Sequence, residues 1–566
     1  MKCRGKASCF RADRRKERDA LRDDDMKESF YADRKGSVTN EGVQEYHYAQ
    51  KSFYIDGLIY AYGKKAGKET VDWICREMED GNGVPYEELR GAYSCMIRSA
   101  GETIAFSDNS NMHCIYYSGH YVSNSFLRLL CLEKDAGSDL SFDNEALCEY
   151  LSLGGVYFDK TFFSDIRILP STKAVIVRSG AVSVVSKGIG GIDRKSGIED
   201  LSDFFARLSY SISDDNVCQA LTGGYDSRLV YACLSSKVSD HPAISSNDKS
   251  NRDVRCAAEA AAANGDELEI IPIPKPEYHD ELVASFLRAS DGIQPLDIDS
   301  FVRLSAFRRA LSGRYTVLLT GDGGVLHKDW EWTQDLPFYR KKRSDPGKFY
   351  RQRLCYVDYS RFLGDAVSES YAGQEKRFVS ELEKLSKSIN TQSYDSWYYD
   401  VSGNRRTYYN HTMDSGLTMY APLMELDTVR YSYALPRHKR FFYHSMRDTV
   451  SRENRALARL KTNYGTTASN EFLFLARDVF FQIGEYGRKA FRLIGRKVLN
   501  KNVLVKSQTG WSLENEIRNS AAAENALIYA KEKGLIKKEA KAGEISYELL
   551  TRIIHIHWLA REKEHA

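Results

Sequence analysis

Leu221-Thr222-Gly223-Gly224-Tyr225-Asp226-Ser227-Arg228 carries the residue types of a phosphate cradle. Adjacent glycines permit positive φ and let main-chain N–H groups approach an anion. Thr222 and Ser227 add hydroxyl donors. A helix beginning near Ser227 would turn its positive end toward the loop. Asp226 repels a bare phosphate, so it makes sense there only with Mg²⁺ bridging the two. The spacing is not that of a Walker A loop. The competing reading is an ordinary strand–turn–helix corner. A second glycine turn, Thr320-Gly321-Asp322-Gly323-Gly324, lies further along the chain.

The elements around these turns alternate between strand and helix. Val217–Leu221 reads as an apolar strand, followed by a helix from about Ser227. His241–Ser245 is a second strand, and Asp253–Ala263 an Ala-rich helix stopped by Asn264-Gly265. Leu268–Ile273, a helix over Phe301–Leu311 and a strand over Tyr315–Thr320 complete the pattern. Such alternation predicts a doubly wound parallel sheet, which binds ligands at the carboxyl ends of its strands. Both glycine turns fall at such ends.

Ahead of this region, residues 45 to 190 contain short β-like runs: Ser52–Tyr62, Tyr93–Arg98, Thr103–Ser107, His113–Ser118 and Ala174–Val177. Helices are expected near Glu69–Glu79 and, capped by Asp143, over Asn144–Leu153. That mixture suggests α+β. Gly188–Gly191 reads as a linker, and residues 1 to about 25 as a charged, disordered lead-in, with Met26 an alternative start. Beyond about 345 the chain is expected to be helical. Phe480–Arg496 predicts a helix that packs on the core, with a membrane-surface helix as the alternative.

Composition narrows the classes. At 566 residues the chain exceeds one ordinary core. Its 81 basic and 78 acidic residues give a net charge of +3, no footprint for nucleic acid. The 11 cysteines form no CxxC pair and the 12 histidines no HExxH, so neither zinc nor a disulfide framework is indicated. No membrane span and no secretory signal are expected, and a reducing cytoplasm is the default compartment.

The first turn resembles the SGGxDS loop of the ATP-pyrophosphatase (PP-loop) superfamily, with Thr222 for the first Ser. Ala243-Ile244-Ser245-Ser246 with Asp253 resembles the adenine-side strand and helix of its asparagine-synthetase branch. Thr320–Gly324 resembles that branch's [ST]-G-[DE]-G-[GS]-D-E motif. Tyr420-Ala421-Pro422-Leu423-Met424-Glu425-Leu426-Asp427, then Ala434-Leu435-Pro436, resembles its R-x-P-F-L-D…LP stretch. The resemblance implies MgATP cleaved between its α- and β-phosphates and a carboxylate adenylated, then amidated by ammonia or a substrate amine. It implies ATP or pyrophosphate on Leu221, Thr222, Gly223, Gly224, Asp226, Ser227, Ser245, Gly321 and Gly323, with Asp226 as the Mg²⁺ ligand. Asp322 and Lys461 are the candidate catalytic groups, although Lys461 also reads as a solvated lysine. Asp297 and Asp299 are candidates to hold the substrate, or a helix N-cap. One departure stands out: Val325-Leu326 replaces the family's Asp-Glu and reads as core packing, leaving His327 or Asp329 as candidate replacement ligands.

Residues 26–190 resemble the N-terminal nucleophile (Ntn) glutaminase domain of the same family. Ile55–Tyr62 matches its NGEIYN stretch, Leu89–Ser94 its L-D-G-x-F-A strand, Phe106–Tyr117 its RDxxGxxPLYY stretch, and Glu149–Pro170 its closing helix and I-x-x-L-P-P-G. The frame persists without the chemistry. Lys2 follows Met1 and Lys27 follows Met26, while Cys3 and Cys9 sit in the charged lead-in. The oxyanion-stabilising Asn is Asp56, the substrate-gripping Asp is Arg90, and the Arg before Asp108 is Ser107. An inactive front domain is therefore expected over 26–190, a synthetase-like domain over 195–500 and C-terminal helices over 501–566. The implied partner is a small-molecule, peptide or glycan carboxylate, and a homodimer is an option. The alternative function is a pseudoenzyme or assembly partner.

Overall fold

The computed structural model describes residues 29–238, 241–246, 250–293, 297–329, 344–385, 391–400, 416–499 and 511–565. The expected lead-in over residues 1 to 25 lies outside them. Eleven short strands build the front of the chain: β1 (Ser29–Asp33), β2 (Val38–Glu41), β3 (Gln44–Tyr48), β4 (Lys51–Ala61), β5 (Leu89–Ser99), β6 (Glu102–Ser107), β7 (Tyr116–Tyr117), β8 (Tyr121–Ser123), β9 (Arg167–Ile168), β10 (Lys173–Arg178) and β11 (Ala181–Ser186). They form two antiparallel sheets, ordered β2-β1-β8-β7-β9 and β11-β10-β6-β5-β4-β3.

Side-chain alternation sorts the larger sheet into two faces. Phe53, Ile55 and Ile97 face Val71, Ile74 and Cys75 of α1 (Lys68–Glu79). Tyr54, Met96 and Ala105 meet Phe30, Ala32, Ile115 and Val122 of the smaller sheet's side in a buried layer. The front is thus a sheet-on-sheet sandwich with a helix outside it. Helix α2 (Asn144–Leu153) has the expected bounds and cap: the Asp143 carboxylate accepts N–H bonds from Glu145 and Ala146.

After the linker, α3 (Leu201–Ser211) leads into a parallel sheet of β12 (Val217–Ala220), β13 (Ala243–Ser245), β14 (Glu269–Ile270), β15 (Val317–Leu319) and β16 (Thr418–Tyr420), ordered β14-β13-β12-β15-β16. Helices cover both faces. Val217, Ala243, Leu319 and Tyr420 pack among residues of α3, α4 (Asp226–Leu234) and α5 (Arg252–Ala263). Cys218, Ile244, Leu318 and Met419 pack on Phe307 and Leu311 of α6 (Ile298–Leu311). The sheet is doubly wound, as the alternation predicted. Strand β16 was not expected in the helical rear; three residues are too few to show a period.

The C-terminal helices do not stand apart. The last helix, Tyr547–His565, packs on α2, where Tyr150 Oη bonds His555 Nδ1 at 2.8 Å and Arg552 Nη1 donates to Leu151 O at 2.8 Å. Leu513, Ile517, Ile553 and Leu559 share a buried cluster with Leu147 and Leu151. The nine described cysteines are free thiols. Among the described residues no helix is long and apolar enough to cross a membrane.

Candidate functional site at the switch point of the parallel sheet

In the parallel sheet the strand order turns back between β12 and β15. At such a switch point the loops leaving two neighbouring strands diverge to opposite faces, opening a crevice. Both glycine turns lie there, and they touch. A Cβ on Gly321 would stand 2.3 Å from Ser227 N, and one on Gly324 2.1 Å from the Asp226 carboxyl carbon. Only glycine allows that approach. The second turn then tightens into a short 3-10 helix, Gly324–His327, after Gly323 at φ 84°.

The contact brings carboxylates together. Asp322 accepts a 2.9 Å bond from Thr320 Oγ1 and projects at the open rim. Asp226 is half-buried, with Oδ1 enclosed and without a hydrogen-bond partner. Burial raises its pKa, countered by Lys328.

Lys328 is the cation that sequence reasoning missed. Its Nζ lies 3.6 Å from Asp226 Oδ2 and 4.9 Å from the Tyr443 ring centre. The 3-10 turn accounts for this placement. Leu326 enters the core beside Ile192 and Val429, with Val325 packed against it. His327 is buried with Nε2 on Leu423 O, and Asp329 pairs with Arg437 at 2.8 Å. Val325-Leu326 is thus core packing, as expected. His327 and Asp329 both turn to other partners, and Lys328 faces the site instead. No spacing rule singles out a lysine four residues past a glycine turn.

The first turn is anchored from below and above. Thr222 N donates to Ser227 Oγ at 3.1 Å, and their hydroxyls bond at 2.8 Å. Gly223 N donates to Asp253 Oδ1 at 3.0 Å, and Asn463 donates to the same oxygen at 2.6 Å. Gly224 N reaches Thr222 Oγ1 at 3.4 Å. The amides of residues 222–224, read from sequence as an open nest, therefore each have a partner within the chain. A Cβ on Gly224 would meet nothing but Thr222 Oγ1, so that side of the turn faces open space. Tyr225 stacks on Tyr443 at 4.2 Å and bonds Thr467 O and Arg447 Nη2 at 2.6 and 2.9 Å. Phe442 and Tyr443 both adopt positive φ, 54° and 60°, a strained conformation that surrounding contacts must hold.

The remaining candidates scatter. Leu221 is buried, its N–H on Ile244 O at 2.8 Å, and Ser245 ends β13. Lys461 is exposed; its carbonyl, not its amine, is used, accepting from Arg228 Nη2 at 3.0 Å. Asp297 caps α6, accepting from Asp299 N at 2.9 Å and Ser300 Oγ at 2.8 Å. Asp299 holds the C-terminal segment through Ser512 Oγ and Leu513 N. Asp297 does what a helix start demands, and Asp299 ties two distant segments together.

For polyphosphate, the crevice offers Thr222, Ser227, the open side of Gly224 and the Lys328 amine. If a Mg²⁺ were bound, Asp226 and Asp322 would be the carboxylates near it, and the enclosed Asp226 oxygen without a hydrogen-bond partner is compatible with such a cation. No cluster of three metal-ligating side chains occurs among the described residues, so phosphate oxygens and water must complete the shell.

A second polar region lies where front meets rear. Arg90 Nε and Nη2 donate to Asp427 Oδ2 at 2.8 and 2.6 Å, and Tyr62 Oη joins at 2.9 Å. Gly91 N donates to Glu425 Oε1 at 2.7 Å, as does Tyr420 Oη at 3.0 Å. Burial pushes the Glu425 carboxyl up to about 8, against the pull of the Gly91 N–H and of Arg90. Asp427 is held below the carboxylate range, chiefly by Arg90 working against burial. Asp56, meanwhile, accepts from Asn124 at 3.0 Å and lies 3.5 Å from His113 Nδ1.

No protein-family model matches this chain, and no curated protein does. Among solved structures it is similar to glutamine phosphoribosylpyrophosphate (PRPP) amidotransferase from B. subtilis complexed with ADP and GMP. That overlap has 11% identity over 54% of this chain and 72% of the other, with a TM-score of 0.16. Another is a structure described as the allosteric regulatory enzyme of purine biosynthesis, at 8% identity over 45% of this chain and 77% of that one, TM-score 0.17.

Proposed function

We propose that this chain is an ATP-dependent, AMP-forming ligase of the asparagine-synthetase kind. It would join a carboxylate to ammonia or to a substrate amine, behind a glutaminase-like front domain that has lost its activity. One observation carries the reading: two glycine turns in contact at a topological switch point, gathering Asp226, Asp322, Lys328 and the Thr222 and Ser227 hydroxyls. On this reading Thr222, Ser227 and Lys328 hold the phosphates. Asp226, with Asp322, holds the Mg²⁺ that neutralises charge on them. The acceptor carboxylate attacks the α-phosphate and pyrophosphate leaves; the amine then displaces AMP as the amide forms. Positioning supplies much of the rate. In the front domain Arg90 is committed to Asp427, and Asp56 is an anion where an oxyanion would develop.

The test is ATP–pyrophosphate exchange across candidate carboxylates, with calorimetry of MgATP binding. Asp226→Asn should abolish exchange while leaving the fold intact; unchanged exchange would remove the metal role.

A second reading, a pseudoenzyme that keeps the fold as an assembly partner, draws on the same turn. Amides at Thr222, Gly223 and Gly224 are already answered by Ser227, Asp253 and Thr222. Absence of heat and of thermal shift with MgATP would favour it over the ligase.

A further inference from the structure

Two groups assigned above to a ligand hold each other: Lys328 Nζ lies 3.6 Å from Asp226 Oδ2. Bound MgATP would have to part them, since the metal takes the acid and the phosphates take the amine. A lysine stem is long and flexible, so a cation released from its acid stays aimed at the crevice only when something else holds it. The Tyr443 ring is placed to do so. Its centre is 4.9 Å from Lys328 Nζ, within the range of a cation–π contact.

The ring reaches that place through a strained backbone. Phe442 (φ 54°, ψ 33°) and Tyr443 (φ 60°, ψ 25°) are consecutive left-handed residues. Bulky side chains disfavour this region and stay there only when their surroundings hold them. The holder is Arg447, fully buried and closed by Asp478 at 3.1 Å. Arg447 Nε donates to Phe442 O at 3.2 Å, Nη2 donates to Tyr225 Oη at 2.9 Å, and the guanidinium lies 4.6 Å from the Phe442 ring centre. Tyr443 is thereby laid flat on Tyr225, with ring centres 4.2 Å apart and planes 10° off parallel. The contacts close a circuit. Tyr225 precedes Asp226, Asp226 pairs with Lys328, Lys328 meets Tyr443, and Tyr443 stacks on Tyr225. The Tyr443 ring is only half-buried, so its place is explained less by core packing than by the cation beside it. We propose that Tyr443 is a positioning residue, whose ring keeps the Lys328 amine aimed into the crevice when Asp226 turns to the metal. The ligand in this statement rests on the MgATP reading above; the hold of the ring on the amine does not.

Two measurements on the full chain separate the hold from the ligand. The first needs no nucleotide: acetic anhydride labels lysines, and mass spectrometry reads the rate at Lys328, with the exposed Lys461 as internal standard. Without the ring the amine loses a contact that favours its charged form. Tyr443→Leu should therefore raise the labelling rate about threefold, and Tyr443→Phe, which keeps a ring, should return it to the wild-type rate. The second is calorimetry with MgATP. Tyr443→Leu should weaken binding about three- to fivefold, and Tyr443→Phe should restore it. Tyr443→Leu with Lys328→Met should bind no more weakly than Lys328→Met alone, because the ring acts through the amine. If the leucine variant does not fold, Tyr443→Gly takes its place, since glycine accepts a φ of 60° without strain. Equal labelling of Lys328 with and without the ring would overturn the proposal, as would losses that multiply in the double variant. If the wild type binds no MgATP, the ligase reading falls and the labelling alone decides the role of Tyr443.

Discussion

The front sheets and the rear crevice treat charged side chains in opposite ways. At the front, Arg90 is closed by Asp427, Tyr62 and Glu87, and the Asp108 carboxylate accepts the N–H groups of Ser110, Met112 and His113. At the rear, Asp226 keeps an enclosed oxygen without a partner, and Asp322 projects into solvent beside it. A charge saturated by its own chain stabilises a joint. A charge left short of partners keeps free energy in reserve for a ligand. On the function proposed above, the Arg90 joint serves as architecture and the Asp226–Asp322 crevice as the place where a ligand binds.

The sharpest way to break this contrast is to open the joint. Arg90→Ala or Asp427→Ala leaves its partner buried and alone, and chemical denaturation should register a loss of about 3–5 kcal/mol. Arg90→Met with Asp427→Leu should recover most of it; a double variant as weak as the singles would contradict a structural role. Next comes the crevice. Gly321→Ala or Gly324→Ala forces a methyl into contacts of 2.3 or 2.1 Å. Each should lower stability by about 1–3 kcal/mol and remove MgATP binding in calorimetry. Glu425→Gln tests the joint by pH. The folded protein holds this proton from the ordinary carboxylate range up to about 8, where the unfolded chain has released it. The group's contribution is therefore present below that window and lost as pH rises through it. In denaturation midpoints at pH 5 and pH 8, Glu425→Gln should flatten the decline by an amount on the order of 1 kcal/mol. Lys328→Met should weaken MgATP binding about tenfold. Lys461→Ala should change it by less than about threefold, since an exposed lysine contributes little.

The strand–helix rhythm was legible in the rear half because short, mostly apolar stretches, such as Val217–Leu221 and Val317–Leu319, alternate with helical stretches closed by caps and glycines. Strand β16 was too short to register, and the helix Phe472–Leu499 misled because its apolar residues Phe480 and Ile483 stand exposed while the acid Asp478 turns inward onto Arg447. In the crevice, residue types in the glycine turns named Thr222, Asp226, Ser227 and Asp322. Lys328 was hidden, since what brings it to Asp226 is a 3-10 turn with Leu326 and His327 anchored in the interior. Asp297 and Asp299 fitted two roles on paper; capping of the local helix took Asp297, and the distant Ser512 and Leu513 took Asp299. The Arg90–Asp427 joint spans residues far apart in the chain, where no local pattern links them.

That joint has a bearing on inheritance. Position 90 and position 427 carry opposite signs facing one another across the seam between the two halves. A graft bringing in a front half with an acid at 90 would set two anions face to face in a space that admits neither. Exchange of one half for a version with the opposite sign at the joint is therefore penalised, whereas a matched change on both sides is not.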